Sequence, residues 1–282
     1  MRKGLYLLAA LLLIAVIFTG CSKPAKQTGT LTLTFSIPQG TSEYPHFPLL
    51  ETDRALSRDV GQRPIPSGTR YIDLAVYNET TNWSYETEIS VNSGQTTASA
   101  LVTNIPVGSG YTVEVIPANE YYVAIAMGRA DDIVVTSGTN TSVTLTVNKF
   151  QINALSYPTT VPAYSLMDVS LSLYSPVSLY SFNIDHCCAV LTDNPTDLDN
   201  ANGYGLFFDE NYIPNFPSNS WVDLDFQDIA PDVAGTWYLY GVGLGYIQPV
   251  TDSYYDLVFA FDTFPTIEVT PVDTGGISII IN

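Results

Sequence analysis

Beyond residue 29, apolar and polar residues alternate with a period of two at many places along the chain. Leu31, Leu33, Phe35 and Ile37 share one face of an opening strand, with Thr32, Thr34 and Ser36 opposite. Ile72, Leu74 and Val76 repeat the pattern after Arg70, residues 112–116 give another strand, and Val143, Leu145 and Val147 another. Further strands are predicted over 169–173, 178–184, 221–226, 237–244, 255–261 and 277–281. Val222, Leu224 and Phe226 would face a core, with Trp221, Asp223, Asp225 and Gln227 on the other side. Turn residues at 91–94, 106–110 and 136–139 separate the strands of the first half. No long stretch after residue 20 carries an apolar period of 3.6. Short strands with turn signals between them predict an all-β protein built from two tandem β-sandwich domains, residues 30–149 and 150–282.

The first twenty residues follow a different rule. Arg2 and Lys3 precede an unbroken apolar run over 5–18, the order of an export signal. The uncharged run from Gly4 to Gly20 is 17 residues, shorter than the ~20 that a membrane-spanning helix needs, although an uncleaved span is the alternative. Phe18-Thr19-Gly20-Cys21 resembles the lipobox of bacterial prolipoproteins. The resemblance implies cleavage before Cys21, acylation of Cys21, and anchoring to a lipid bilayer through its acyl chains. Residues 1–20 are then a signal peptide and 21–29 a polar tether. Ser22, which is not the Asp associated with inner-membrane retention, implies an exported protein of the outer membrane or cell surface.

Composition supports a folded chain: 46% of residues are apolar, 13% are charged, and there are nineteen Tyr and eighteen Pro. The net charge of −18 becomes −20 once Arg2 and Lys3 are removed. From Phe150 to Asn282 there is no Lys or Arg, against 16 acidic residues, 14 of them Asp. Nucleic acid is thereby a poor partner, because phosphate contacts need Lys and Arg. A positively charged partner, a divalent cation, or simple solubility are the readings left open.

In the first domain, Asn104-Ile105-Pro106-Val107-Gly108-Ser109-Gly110-Tyr111-Thr112-Val113-Glu114-Val115 resembles the turn and strand of transthyretin-like modules, the Cna-B and carboxypeptidase-regulatory-like domains. Residues 133–138 with 143–147 are similar to their last hairpin. The isopeptide crosslink of some Cna-B domains is not expected, since Lys149 is the only lysine after the tether. The insertion over 38–68 carries Arg54, Arg58, Arg63 and a lone His46; it reads as an ordered crossover, with a processing site or a contact for acidic groups as the alternatives. In the second domain, Asp232-Val233-Ala234-Gly235-Thr236-Trp237 resembles the entry to a late strand of immunoglobulin-like folds. Both resemblances concern architecture and imply no activity.

Candidate chemistry is sparse. No G-x-S-x-G, H-E-x-x-H or P-loop is present, so no enzyme is expected; a glycoside-active carboxylate pair is the remaining enzymatic alternative. Cys187 and Cys188 are adjacent and would point to opposite faces of a strand, read as free thiols with at least one buried; a strained vicinal disulfide is an alternative. Asp193, Asp197, Asp199 and Asn202 concentrate oxygen donors in a turn-rich loop, a candidate calcium site that lacks the EF-hand spacing. Tyr204, Tyr212, Trp221, Tyr246, Tyr254 and Tyr255 are candidate ligand-binding aromatics, with core or edge packing as the alternative for each. Together these features predict a lipid-anchored, non-catalytic binding or adhesion module for a glycan or an envelope protein. The alternative is a structural subunit of a surface assembly that exchanges the terminal strand 277–281.

Overall fold

The computed structural model describes residues 27–36, 69–92, 97–119, 123–195, 201–207, 213–249 and 252–272. The signal peptide expected over 1–20, Cys21, the arginine-bearing insertion and the strand expected over 277–281 lie outside the described residues. The architecture is all-β, and the two halves each form two packed layers.

In the first half, β1 (Thr28–Ser36) pairs antiparallel with β4 (Thr97–Pro106) and parallel with β8 (Asn140–Thr146). The facing layer runs β3 (Trp83–Ser90), β2 (Tyr71–Asn78), β5 (Gly108–Ala118) and β7 (Ala126–Val135). The alternation of the opening strand is what closes this sandwich: Leu31, Leu33 and Phe35 are buried against Ile72, Leu74, Val76, Val113 and Val115. Each such side chain contributes about 1.5–3 kcal/mol of burial.

The motif at 104–115 is a crossover. β4 and β5 lie in different layers, and the chain changes layer at Val107. Gly110 takes φ +76°, a left-handed conformation that glycine adopts without strain. Tyr111 is buried behind the turn, donates its hydroxyl to the Pro106 carbonyl at 2.6 Å and meets Trp83 edge-on. Residues 133–147 likewise do not form a hairpin. β7 and β8 are not paired, because the turn at 136–139 also carries the chain between layers, and β8 docks beside β1.

Two short strands, β6 (Val123–Ala124) and β9 (Asn148–Lys149), lead to the second half. There β10 (Gln151–Ser156), β12 (Leu166–Ser175) and β15 (Ser220–Ile229) make one layer. The other is centred on β16 (Gly235–Ile247), flanked by β13 (Ile184–Thr192) and β14 (Gly203–Phe207) on one side. On its other side lie β17 (Tyr254–Ala260) and β18 (Thr266–Thr270), with β11 (Thr160–Pro162) beside β18. Leu224 and Phe226 are buried and Val222 is half-buried, on the face the alternation assigned them.

The strand predicted over 178–184 does not form as such. Leu179 makes one bridge to Phe216, residues Ser181–Asn183 close a 3-10 turn, and the strand starts at Ile184. The Asn215 carboxamide accepts the Ser181 N–H at 2.8 Å, taking the place of a ladder bond.

The halves share a sheet. β17 pairs parallel with β6, which pairs with β5 at Ala118–Ala124. β2 and the later part of β5 are consequently buried on both faces, and Ile116, Ala124 and Met127 belong to the core of the second half.

Candidate functional site

Two regions place side chains where elementary physics would not put them. The first is a ribbon at one end of the second sandwich, formed by residues 174–182 against 215–221. Asn219 N–H donates to Ser175 O at 2.9 Å, Ser218 N–H to the Ser178 hydroxyl at 3.2 Å, and Leu179 and Phe216 exchange backbone bonds. The ribbon carries two aromatic pairs. Tyr180 and Phe182 stack with ring centroids 5.5 Å apart and planes 11° from parallel. They are nevertheless 41% and 78% exposed. Trp221, 44% exposed, leans on Tyr174 at 5.5 Å. The Tyr174 hydroxyl donates to Asn219 Oδ1 at 3.0 Å, and Asn219 Nδ2 donates to the Ser218 hydroxyl at 2.9 Å.

Along the same outer face, the alternation of β12 and β15 lines up polar cross-strand partners. Ser172 donates to Asp223 at 2.6 Å, Ser170 to Asp225 at 2.5 Å, and Gln227 to Asp168 at 2.5 Å. These bonds fix three carboxylates in a row along the outer face, with Asp223 the one nearest Trp221 in register.

The second region is the joint between halves. Glu114 on β5 is fully buried. The Tyr77 hydroxyl donates to its Oε2 at 3.1 Å and the Tyr246 hydroxyl to its Oε1 at 3.0 Å. Gln248 also bonds to it, and the Arg129 guanidinium stands 3.9 Å away. Burial pushes the Glu114 carboxyl up, opposed by Arg129 and these donors. Tyr77 and Tyr246 are both held well above the usual phenol range, first by burial and then by the Glu114 charge.

One edge of the joint opens as a cleft of about 530 Å³, lined by Asp73, Glu86, Glu88 and Ser253–Tyr255. Register places Asp73 opposite Glu88 and next to Glu86 on one face. Asp73 is only 8% exposed, and its Oδ2 accepts no hydrogen bond. Burial and then the Glu88 and Glu86 charges raise its carboxyl to about 7, against the lowering effect of a Tyr255 hydrogen bond.

The sequence-level candidates fall in several environments. Trp221 stands in the exposed ribbon. Tyr246 and Tyr255 are 1% and 2% exposed and belong to the core of the second half, with Tyr255 also lining the cleft. Each follows a strand alternation whose inward face the other half covers. Tyr204 is half-buried against that core. Tyr254 is half-buried, with its hydroxyl 3.3 Å from His186 Nδ1. Gly245 permits that approach, since a Cβ there would lie 2.6 Å from the same nitrogen.

Of the calcium candidates, Asp193 accepts the Asn202 backbone N–H at 2.8 Å and its side-chain amide at 2.5 Å, closing the loop base. Asp197, Asp199 and Tyr212 lie outside the described residues. Among the described residues no three His, Cys, Asp or Glu side chains are disposed to share one metal ion. Cys187 and Cys188 are both free and buried on opposite faces of β13. Burial pushes the Cys188 thiol up to about 12 and Cys187 higher, so neither is a poised nucleophile.

Sequence reasoning missed Tyr174, Tyr180, Phe182, Asp73 and Glu114. The Tyr-Ser-Phe alternation at 180–182 was a signal, but it reads as an ordinary strand until the 3-10 turn is seen. A Glu within the apolar alternation of β5 was the signal for the joint.

No family model matches the chain, and no curated protein matches its sequence. Among solved structures it is similar to a leucine-rich repeat protein of Bacteroides thetaiotaomicron, at 13% identity and a TM-score of 0.27, over 87% of this chain and 26% of that one. It is also similar to the full-length major pilin SpaD of Corynebacterium diphtheriae, at 11% identity and a TM-score of 0.31, over 86% of this chain and 67% of that one. The chain spans about a quarter of the first protein's length.

Proposed function

We propose that this chain is an exported, lipid-anchored, non-catalytic binding module of the cell envelope, and that the aromatic ribbon is its recognition surface. The observation that supports this reading is the exposure of Phe182, Tyr180 and Trp221 at one end of a sandwich. Exposed clustered aromatics rimmed by polar residues mark interaction sites, and the connections at a sandwich end are where recognition is usually built. The Cys21 acyl chains would hold the module at the bilayer, with residues 22–29 as spacer.

The test is retention of the full lipidated chain on immobilised envelope polysaccharide and envelope protein fractions, with Phe182→Ala and Trp221→Ala beside the unaltered chain. Retention that both substitutions abolish supports the module; retention indifferent to both, or none at all, sinks it. Separately, Cys21→Ser is expected to abolish incorporation of a labelled fatty acid and to release the protein from the membrane fraction.

A further inference from the structure

We propose that the aromatic ribbon takes a neutral, hydroxyl-rich oligosaccharide, its sugar rings lying on Phe182 and Trp221; this rests on reading the chain as a binding module. A pyranose ring has an apolar C–H face and a rim of hydroxyls. It therefore needs a flat aromatic face with hydrogen-bonding groups around it, which an apolar protein pocket does not supply. Both ring pairs offer that. Tyr180 lies behind Phe182 nearly parallel, and Tyr174 backs Trp221, so each outer ring is held in place and loses little freedom on binding. Asn215, Ser218 and Asn219 are exposed between them.

The spacing also favours a chain of rings over a protein partner. From Tyr174 to Phe182 the ribbon spans at most about 26 Å at ~3.3 Å per residue, the reach of several linked sugars. The exposed apolar surface is split into two small patches with polar residues between. A protein interface instead wants a contiguous area of roughly 800 Å² on each partner.

Charge then selects among glycans. Asp223 follows Trp221 on the same outer face of β15, with Asp225 beyond it, and residues 150–282 contain no Lys or Arg. Ligand hydroxyls can donate to these carboxylates, which have acceptor capacity left after the Ser172 and Ser170 bonds. A uronate, sulfate or phosphate group would meet like charge, with no Lys or Arg of residues 150–282 to offset it.

The experiment uses the full lipidated chain in detergent micelles, followed by tryptophan fluorescence and calorimetry. The neutral probes are hexasaccharides of β-glucan, α-glucan, xylan and mannan; the anionic probes are hexagalacturonate and a heparin hexasaccharide. The expected result is saturable binding of at least one neutral hexasaccharide and of neither anion. Phe182→Ala and Trp221→Ala should each weaken it about tenfold or more, about 1.4 kcal/mol, and Trp221→Phe should weaken it less. An unchanged melting temperature in these variants separates lost contact from lost fold. The inference is overturned if no neutral probe binds, if an anionic probe binds better, or if binding ignores both ring substitutions. If no glycan binds while retention on envelope protein still depends on Phe182, the glycan is wrong and the binding module stands. If that retention also fails, both fall.

Discussion

The joint and the ribbon depart from ordinary burial in opposite directions. The joint takes carboxylates inside: Glu114 is fully buried and Asp73 nearly so. The ribbon leaves large aromatic rings outside, with Phe182 78% exposed. Their compensation differs as well. Glu114 is surrounded by two phenol donors, an amide and a guanidinium, so its burial is repaid within the fold. The rings of the ribbon have each other and one hydrogen bond, from Tyr174 to Asn219. An anomaly satisfied from within is a structural device holding two sandwiches together, whereas one left unsatisfied points to something from outside. Asp73 stands between the two cases, buried but with one oxygen unpartnered.

The largest effect should come from the satisfied anomaly. Glu114→Ala removes the acceptor of Tyr77 and Tyr246 and leaves Arg129 with Asp131 alone, and is expected to cost about 3–5 kcal/mol in urea unfolding. Glu114→Gln keeps an acceptor and should cost clearly less. Equal losses for the two would mean that the charge and second acceptor oxygen of the carboxylate, not the volume of the side chain, secure the joint.

Asp73 gives the pH dependence. Its carboxyl is raised from 3.8 unfolded to about 7 folded, so the folded state holds the proton more tightly. The associated stability is fully present below about 4, and is lost as pH rises through about 7. Among the described residues, the groups facing it are Glu86, Glu88, Ser253 and Tyr255, none of them basic. Asp73→Asn should therefore remove up to ~4 kcal/mol of the decline in stability between pH 4 and 8. A variant whose stability falls over that range as steeply as the unaltered chain would assign the decline to other carboxylates.

Much of this architecture was legible in the chain, because strand alternation reports the buried face directly. Leu31, Leu33 and Phe35, or Leu224 and Phe226, lie where a period of two puts them. What alternation cannot report is whether the second face is covered too. Asp73, Ala75 and Tyr77 read as a solvent face, yet the other half packs over them. For the same reason Tyr246 and Tyr255 looked available while being core residues. Strand pairing was also illegible: residues 133–147 look like a hairpin locally, and only the competing partner β1 shows that β8 belongs to the other layer. The ribbon was half legible, through Trp221 opposite the core-facing Leu224 and Phe226. Its other half was hidden by a 3-10 turn closed by the Asn183 N–H on the Tyr180 carbonyl and by the contact between Asn215 and Ser181.

A smaller effect tests the close packing beside the joint. Gly245→Ala places a Cβ 2.6 Å from His186 Nδ1 and 2.7 Å from its Cε1, so the Tyr254–His186 contact must open. The expected loss is about 1–3 kcal/mol, read as a lowered melting temperature. The same substitution combined with His186→Ala should recover part of it, because the flexible neighbour is then gone.

The smallest expected effect is the most informative about the ribbon. Phe182 touches its stacking partner Tyr180 but stays 78% exposed, so replacing it removes little buried area. Phe182→Ser should change stability by no more than ~0.5 kcal/mol, the ordinary range of a surface substitution. A ring that contributes so little to folding, and whose apolar face stays in contact with water, is retained for something other than the fold. If Phe182→Ser instead cost 2 kcal/mol or more, the pair would be supporting the 3-10 turn and the start of β13. The contrast between a joint satisfied from within and a ribbon open to a ligand would then collapse into two structural contacts of different depth.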